Sequence, residues 1–129
     1  MAFAPWQDTG PTKHSVAKKT DCLHGHGHDS KREAARCNQL HILQDAGQIH
    51  GLKSQPFFAF FIDGECLKMA NGHKGGVTLD FSYVEAGALV AEDVKPRSAR
   101  ADSRDWPLRK SLFKHIYRAW ELREVRDAR

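Results

Sequence analysis

Over the first twenty positions the apolar residues follow no period; the stretch is polar, rich in Lys and Thr, and reads as a tail. Periodicity starts after Ser30-Lys31-Arg32-Glu33, which has the spacing of a capping box. The helix predicted from there runs to Ala46 and stops at Gly47, a residue suited to a helix C-terminus. Cys37 and Leu40 recur at helical spacing after Glu33, which places Glu33 at the upper end of the apolar stripe.

Gln55-Pro56-Phe57-Phe58-Ala59-Phe60-Phe61-Ile62 is an aromatic run closed by Asp63-Gly64, and predicts a strand and a turn with the aromatic rings in the core. Residues 63–76 are glycine-rich, show little pattern and predict a loop. Val77–Val84 and Ala88–Lys95 predict two strands joined through Glu85-Ala86-Gly87 as a hairpin. The polar, basic stretch from Pro96 to Asp105 predicts a mobile connection. Asp105 and Pro107 open a last helix running to about Arg118, with Leu108, Leu112, Phe113, Ile116 and Trp120 on one face. Lys110, Lys114 and Arg118 share the other face, and Glu121–Val125 alternates as a final strand. Helix, strand, hairpin, helix, strand is the order of an α/β or α+β domain with a small mixed sheet. It spans residues 21–125, between an N-terminal tail (1–20) and a C-terminal one (126–129).

Composition narrows the class. With 129 residues, 40% of them hydrophobic, the chain can build one modest core and is not a disordered polymer. No apolar run is long enough to span a membrane, and the start lacks the basic flank and apolar stretch of a signal peptide, so a cytoplasmic protein is expected. Twenty Lys and Arg against sixteen Asp and Glu give +4, a mild bias towards polyanions. Cys22, Cys37 and Cys66 are odd in number and irregularly spaced, which fits reduced thiols better than a disulfide frame.

The hairpin holds the candidate chemistry. Side chains two apart on a strand face the same way, so Asp93 and Lys95 share one face while Glu92 and Val94 share the other. A turn at 85–87 sets Asp80 nearly opposite Asp93, within one register step. Paired carboxylates repel one another and resist burial, so together they invite a cation. Mg²⁺ (or Mn²⁺) suits them: it takes hard oxygen ligands and is often completed by water and substrate phosphate. Lys95 can orient a water or neutralise developing charge, and Glu33 can add a further carboxylate.

These residues sit in a longer resemblance. Asp-Ser-Lys-Arg-Glu-Ala-Ala-Arg (29–36) resembles the helix-opening motif of a group of small phage and prophage proteins. The resemblance continues through Leu-Gln-Asp-Ala-Gly-Gln-Ile (43–49), Gln55-Pro56-Phe57, Glu92-Asp93-Val94-Lys95, Pro-Leu-Arg-Lys-Ser-Leu-Phe (107–113) and Arg-Glu-Val (123–125). Those proteins were long filed as a domain of unknown function and are assigned to the PD-(D/E)XK nuclease superfamily. The resemblance implies a restriction-endonuclease-like αβββαβ core, its small mixed sheet flanked by two helices. It implies a Mg²⁺-dependent DNA endonuclease acting on double-stranded or branched DNA in phage replication, recombination or packaging. It assigns Asp80 and Asp93 to the two acidic positions, Lys95 to the lysine and Glu33 to the acidic position of the first helix, while Gln55 and Lys110 match recurring positions. Leu79 departs from the motif's proline, Pro96 stands where glycine is usual, and Gly-His-Lys-Gly-Gly (72–76) before Asp80 is unusual.

Plainer readings stand beside these. A D-x-K triplet on a strand often serves solubility alone, and Glu33 can simply complete its capping box. Lys110, Lys114 and Arg118, with Arg97 and Arg100, are candidate DNA contacts, or a solvated face and loop. His24, His26 and His28 with Cys22 and Cys37 offer zinc-type ligands, but in no common module spacing, so a polar loop is the stronger reading. A non-catalytic DNA-binding or assembly protein and a zinc-stabilised interaction module remain the alternatives to the nuclease. A symmetric junction substrate would call for a homodimer.

Overall fold

A computed structural model describes residues 20–21, 27–28, 31–96 and 102–126 of the chain. Two short strands, β1 (Thr20–Asp21) and β2 (Gly27–His28), pair antiparallel ahead of helix α1 (Lys31–Asp45). Gly47 follows that helix in the left-handed conformation (φ 77°) that ends it, as expected. Next come β3 (His50–Ser54), β4 (Phe57–Ala59), β5 (Phe61–Ile62), β6 (Glu65–Cys66), β7 (Gly76–Thr78), β8 (Phe81–Glu85) and β9 (Ala88–Lys95). Helix α2 (Trp106–Ile116) and strand β10 (Trp120–Arg126) complete the order.

The main sheet has the order β10–β9–β8–β3. Strands β3 and β8 are antiparallel, β8 and β9 are antiparallel, and β9 and β10 are parallel, so the sheet is mixed as expected. Its elements and the two helices follow one another along the chain as α1, β3, β8, β9, α2, β10. Ala86 and Gly87, both at positive φ (51° and 79°), make the tight turn between β8 and β9, the backbone that a two-residue hairpin requires.

Alternation along β9 divides the core in two. On one face Val90 joins Phe81 and Tyr83 of β8 under Ala34, Cys37 and Leu40 of α1. On the other, Ala91 meets Phe58, Phe60, Val77 and Leu79, which pack against Trp106 and Phe113 of α2. Phe58 is the hub of the second cluster: Phe113, Trp120 and Tyr117 stand edge-on to it with ring centroids 4.9, 5.0 and 5.1 Å away.

Several expected elements come out differently. The run from Gln55 to Ile62 is two short strands, not one. Gln55 takes φ 58° and Pro56 lacks an amide hydrogen, so the ladder cannot begin before Phe57. Within it Phe58 and Phe60 are buried, whereas Phe57 and Phe61 are about half exposed, so only every second ring enters the core. The strand expected over Val77–Val84 breaks at Leu79-Asp80: β7 pairs with β4, and only β8 belongs to the main sheet. The expected loop at 63–76 contains β6, which forms a small hairpin with β5. Helix α2 ends at Ile116, so Arg118 lies beyond it and Trp120 starts β10; Leu108, placed on the apolar face, is exposed. Arg126, placed in the C-terminal tail, closes β10 and pairs with Asp102 at 2.9 Å. No described helix is long and apolar enough to cross a membrane.

Glu92 is fully buried on the α1 face of β9. Arg36 of α1 grips it with two bonds, Nε to Oε1 at 2.8 Å and Nη2 to Oε2 at 2.6 Å, and the Tyr83 hydroxyl donates to it as well. Burial, reinforced by the Glu92 carboxylate, pushes the Tyr83 hydroxyl pKa up to about 12, so it stays a donor. Removing one partner of such a pair strands the other. Glu92→Ala should therefore destabilise the fold by about 3 kcal/mol or more, read as a lower urea midpoint at unchanged m. A shift below about 1 kcal/mol would mean that the network is structurally idle.

Candidate active site

The pairing of Phe81 with Glu92 in the β8–β9 ladder puts Asp80 beside Asp93, where the hairpin argument had set them. Asp80 stands in the bend between β7 and β8. Its backbone is pinned on both sides: its amide donates to Glu92 O at 3.0 Å, and its carbonyl accepts from the Gln55 amide at 2.9 Å. The adjoining Leu79 is buried in the second cluster, with its amide bonded to Pro56 O at 3.0 Å. The Asp80 carboxylate is therefore held in register. Oδ2 accepts the Val94 amide at 2.7 Å, doing for that strand amide what a ladder carbonyl would otherwise do.

The Asp80 carboxyl is also hydrogen-bonded to Asp93, and the pair shares a poorly solvated spot. Burial first, then the bond to Asp93 and its charge, push the Asp80 pKa up to about 9; Glu33 adds to this and the Val94 amide opposes it. Asp93 meets Lys95 two residues on, Oδ2 to Nζ at 2.7 Å, so the two side chains do share a face. The Lys95 ammonium lies 3.6 Å from the centre of the Trp106 ring, a cation–π contact. The Trp106 indole N–H in turn donates to Glu124 Oε1 of β10 at 3.0 Å. Lysine, ring and carboxylate thus form one supported chain.

Glu33 lies in the first turn of α1 and is buried, with the Gln55 amide Nε2 donating to its Oε2 at 3.0 Å. Gln55 thereby gains a stated position: it bonds the Asp80 carbonyl through its backbone and Glu33 through its side chain. Its left-handed φ of 58° is costly for a non-glycine residue. A cavity of about 250 Å³ opens beside the group, lined among others by Thr78, Asp93, Lys95, Ser103, Trp106 and Arg109.

Of the expected DNA contacts, Lys110 turns to Glu124 and pairs with it, so it does not share a free face with Lys114. Lys114 and Arg118 are exposed, around a shallow cavity with Ser111 and His115. Arg97 and Arg100, as well as His24, His26 and Cys22 of the zinc alternative, lie outside the described residues, and the His28 side chain is likewise not described. Trp106 and Glu124 were missed in the sequence. Glu124 left a trace there, as a charge on the strand face that also carries Trp120 and Leu122; Trp106 left none, since only the crossover brings it to Lys95.

Among the described residues no three His, Cys, Asp or Glu side chains form a ready-made metal cage. The donor chemistry of the Asp80–Asp93 pair nonetheless fits a hard divalent cation. Two carboxyl groups side by side offer hard oxygen ligands, and Mg²⁺ characteristically takes one or two carboxylates and fills its other positions with water and phosphate. The chain belongs to the family described as "Protein of unknown function (DUF1064)", whose model matches residues 13–128. No curated protein and no solved structure matches it.

Because Asp80 is protonated more readily in the folded than in the unfolded state, it favours folding fully below about pH 3.8 and loses that contribution as pH rises towards 9. Asp80→Asn keeps the acceptor for Val94 and does not titrate. In chelator it should be more stable than the parent at pH 7, by on the order of 1 kcal/mol or about 3–5 °C in Tm. The gap should widen between pH 5 and pH 9 in thermal scans; a constant or shrinking gap would contradict the buried-pair account.

Proposed function

We propose that the protein is a metal-dependent DNA endonuclease of the PD-(D/E)XK kind. The observation that carries this reading is the convergence of Asp80, Asp93 and Lys95 at one end of the β8–β9 hairpin, with Glu33 joined to them through Gln55. The order α1, β3, β8, β9, α2, β10 supports the restriction-endonuclease-like αβββαβ arrangement, and the sequence resemblance supports the phage setting in replication, recombination or packaging.

In this reading Asp80 and Asp93 hold a Mg²⁺ or Mn²⁺ ion, with Glu33 as a further carboxylate acting directly or through water. When bound, the ion supplies a Lewis acid at the phosphate and a water of lowered pKa. Lys95 orients the attacking water and neutralises charge that develops on the phosphoryl oxygens, and its seat between Asp93 and Trp106 fixes the ammonium for that task. Gln55 holds the Glu33 carboxylate in place. Lys114 and Arg118 are exposed, Arg118 resting on the His115 carbonyl, and would meet phosphates of double-stranded or branched DNA.

A second reading has its own support. Asp93 is already neutralised by Lys95, as it would be in a non-catalytic DNA-binding or assembly protein that keeps the fold. Cleavage separates the two. Wild type with Mg²⁺ or Mn²⁺ should cut at least one of linear, nicked, flap or four-way-junction DNA, and EDTA should abolish it. Asp93→Ala should lower the rate by about 10²–10³-fold or more. Folded wild type that cuts none of these with metal present would leave the non-catalytic reading.

A further inference from the structure

Phe57 is a half-exposed ring packed closely over a glycine. It opens β4 opposite Thr78 of β7 and is 50% exposed, although its neighbour Phe58 is buried in the core. Its position is braced from beneath by Gly76: a Cβ at Gly76 would come within 2.6 Å of Phe57 Cζ and 2.4 Å of Phe58 O, so only glycine lets the ring settle there. Gly76 is itself tied down, since Arg109 donates to its carbonyl. A half-exposed aromatic side chain on a short strand could be a stray surface residue, but this one lines a cavity. The cavity has a volume of about 660 Å³ and is bounded by Phe57, Gly72, His73, Lys74 and Thr78. Thr78 also lines the cavity that contains Asp93 and Lys95. The two hollows therefore adjoin across one residue, with the carboxylate–lysine group at one end and an aromatic face with Lys74 and His73 at the other.

We propose that Phe57 is a stacking platform for an unpaired nucleobase next to the site, with Lys74 meeting the adjoining phosphate. Bases stack on an exposed ring without regard to sequence, and a cation alongside attracts the backbone that carries them. In a continuous duplex the bases are paired and stacked on one another, so this surface selects DNA with single-stranded nucleotides beside the cut, such as flaps, forks or opened junctions. The assignment deepens the proposed function and rests on it for the path of the strand past Asp93 and Lys95.

Binding tests it without cleavage. The whole 129-residue chain, in EDTA, is titrated into two DNAs of the same duplex sequence: one blunt, the other with a short single-stranded tail carrying 2-aminopurine. Wild type should bind the tailed DNA more tightly and quench its fluorescence. Phe57→Ala should lose about ten-fold in affinity for the tailed DNA, lose the quenching, and bind the blunt duplex as before. Phe57→Leu, which keeps apolar bulk over Gly76 without a ring, should behave like Phe57→Ala, and Phe57→Trp should restore both signals. Equal loss on both DNAs, no loss on either, or a leucine variant that binds like wild type would overturn the assignment. So would a Phe57→Ala variant that weakens self-association in sedimentation and leaves DNA binding intact, which would make the ring a protein contact. The nuclease reading stands or falls separately: a wild type that quenches but never cuts loses the catalytic claim alone, and one that cuts without Phe57-dependent quenching loses the platform alone.

Discussion

Side chains alternate along β9, so the pairing of Phe81 with Glu92 decides at once what enters the α1 core and what reaches the opposite face. A slip of one residue would exchange the two sets. Glu92 would leave Arg36 and Tyr83, and Asp93 would be pressed against α1 without a cation. The register is therefore fixed from both sides, by apolar packing of Val90 and Ala91 and by the Arg36–Glu92 pair. The juxtaposition of Asp80 and Asp93 is a by-product of that constraint.

The two acidic residues at the end of β9 are neighbours in sequence and opposites in environment. Glu92 is buried, gripped by a guanidinium and a phenol, and belongs to the structure. Asp93 is only partly enclosed, and it meets a second carboxyl as well as the Lys95 ammonium. One pairing is satisfied within the fold, and the other holds two carboxyl groups together only while one of them keeps its proton or a cation joins them. Such local conflict, together with the left-handed Gln55 that touches both Asp80 and Glu33, is what the proposed function would account for.

Much of this was legible in the chain before any coordinates. The hairpin followed from the turn at Gly87 and the alternation around it, and its register to within one step, whereas the break that puts Asp80 between β7 and β8 did not. The capping-box spacing and Gly47 located α1. Strand β3 was not seen, because His50-Gly51-Leu52-Lys53-Ser54 is an edge strand with only Leu52 partly buried, and edges carry little apolar signal. The exposure of Phe57 was not seen either: adjacent phenylalanines look alike until strand alternation separates them. Lys110 read as part of a basic stripe, because its acidic partner Glu124 is supplied by a strand beyond the helix.

The seat of Lys95 is assembled from β9, the first residue of α2 and the middle of β10, whereas Asp80 and Asp93 are joined by a tight local turn. Closing a two-residue turn is fast, while a parallel pairing must wait for its crossover to form. The meeting of the two carboxyl groups thus depends on a local pairing, and the ring and carboxylate that steady the nearby ammonium depend on a distant one. The far edge of the sheet therefore governs how well the charges at the hairpin are balanced: if the β9–β10 pairing loosened, Lys95 would lose its ring and its carboxylate support while Asp80 and Asp93 stayed side by side.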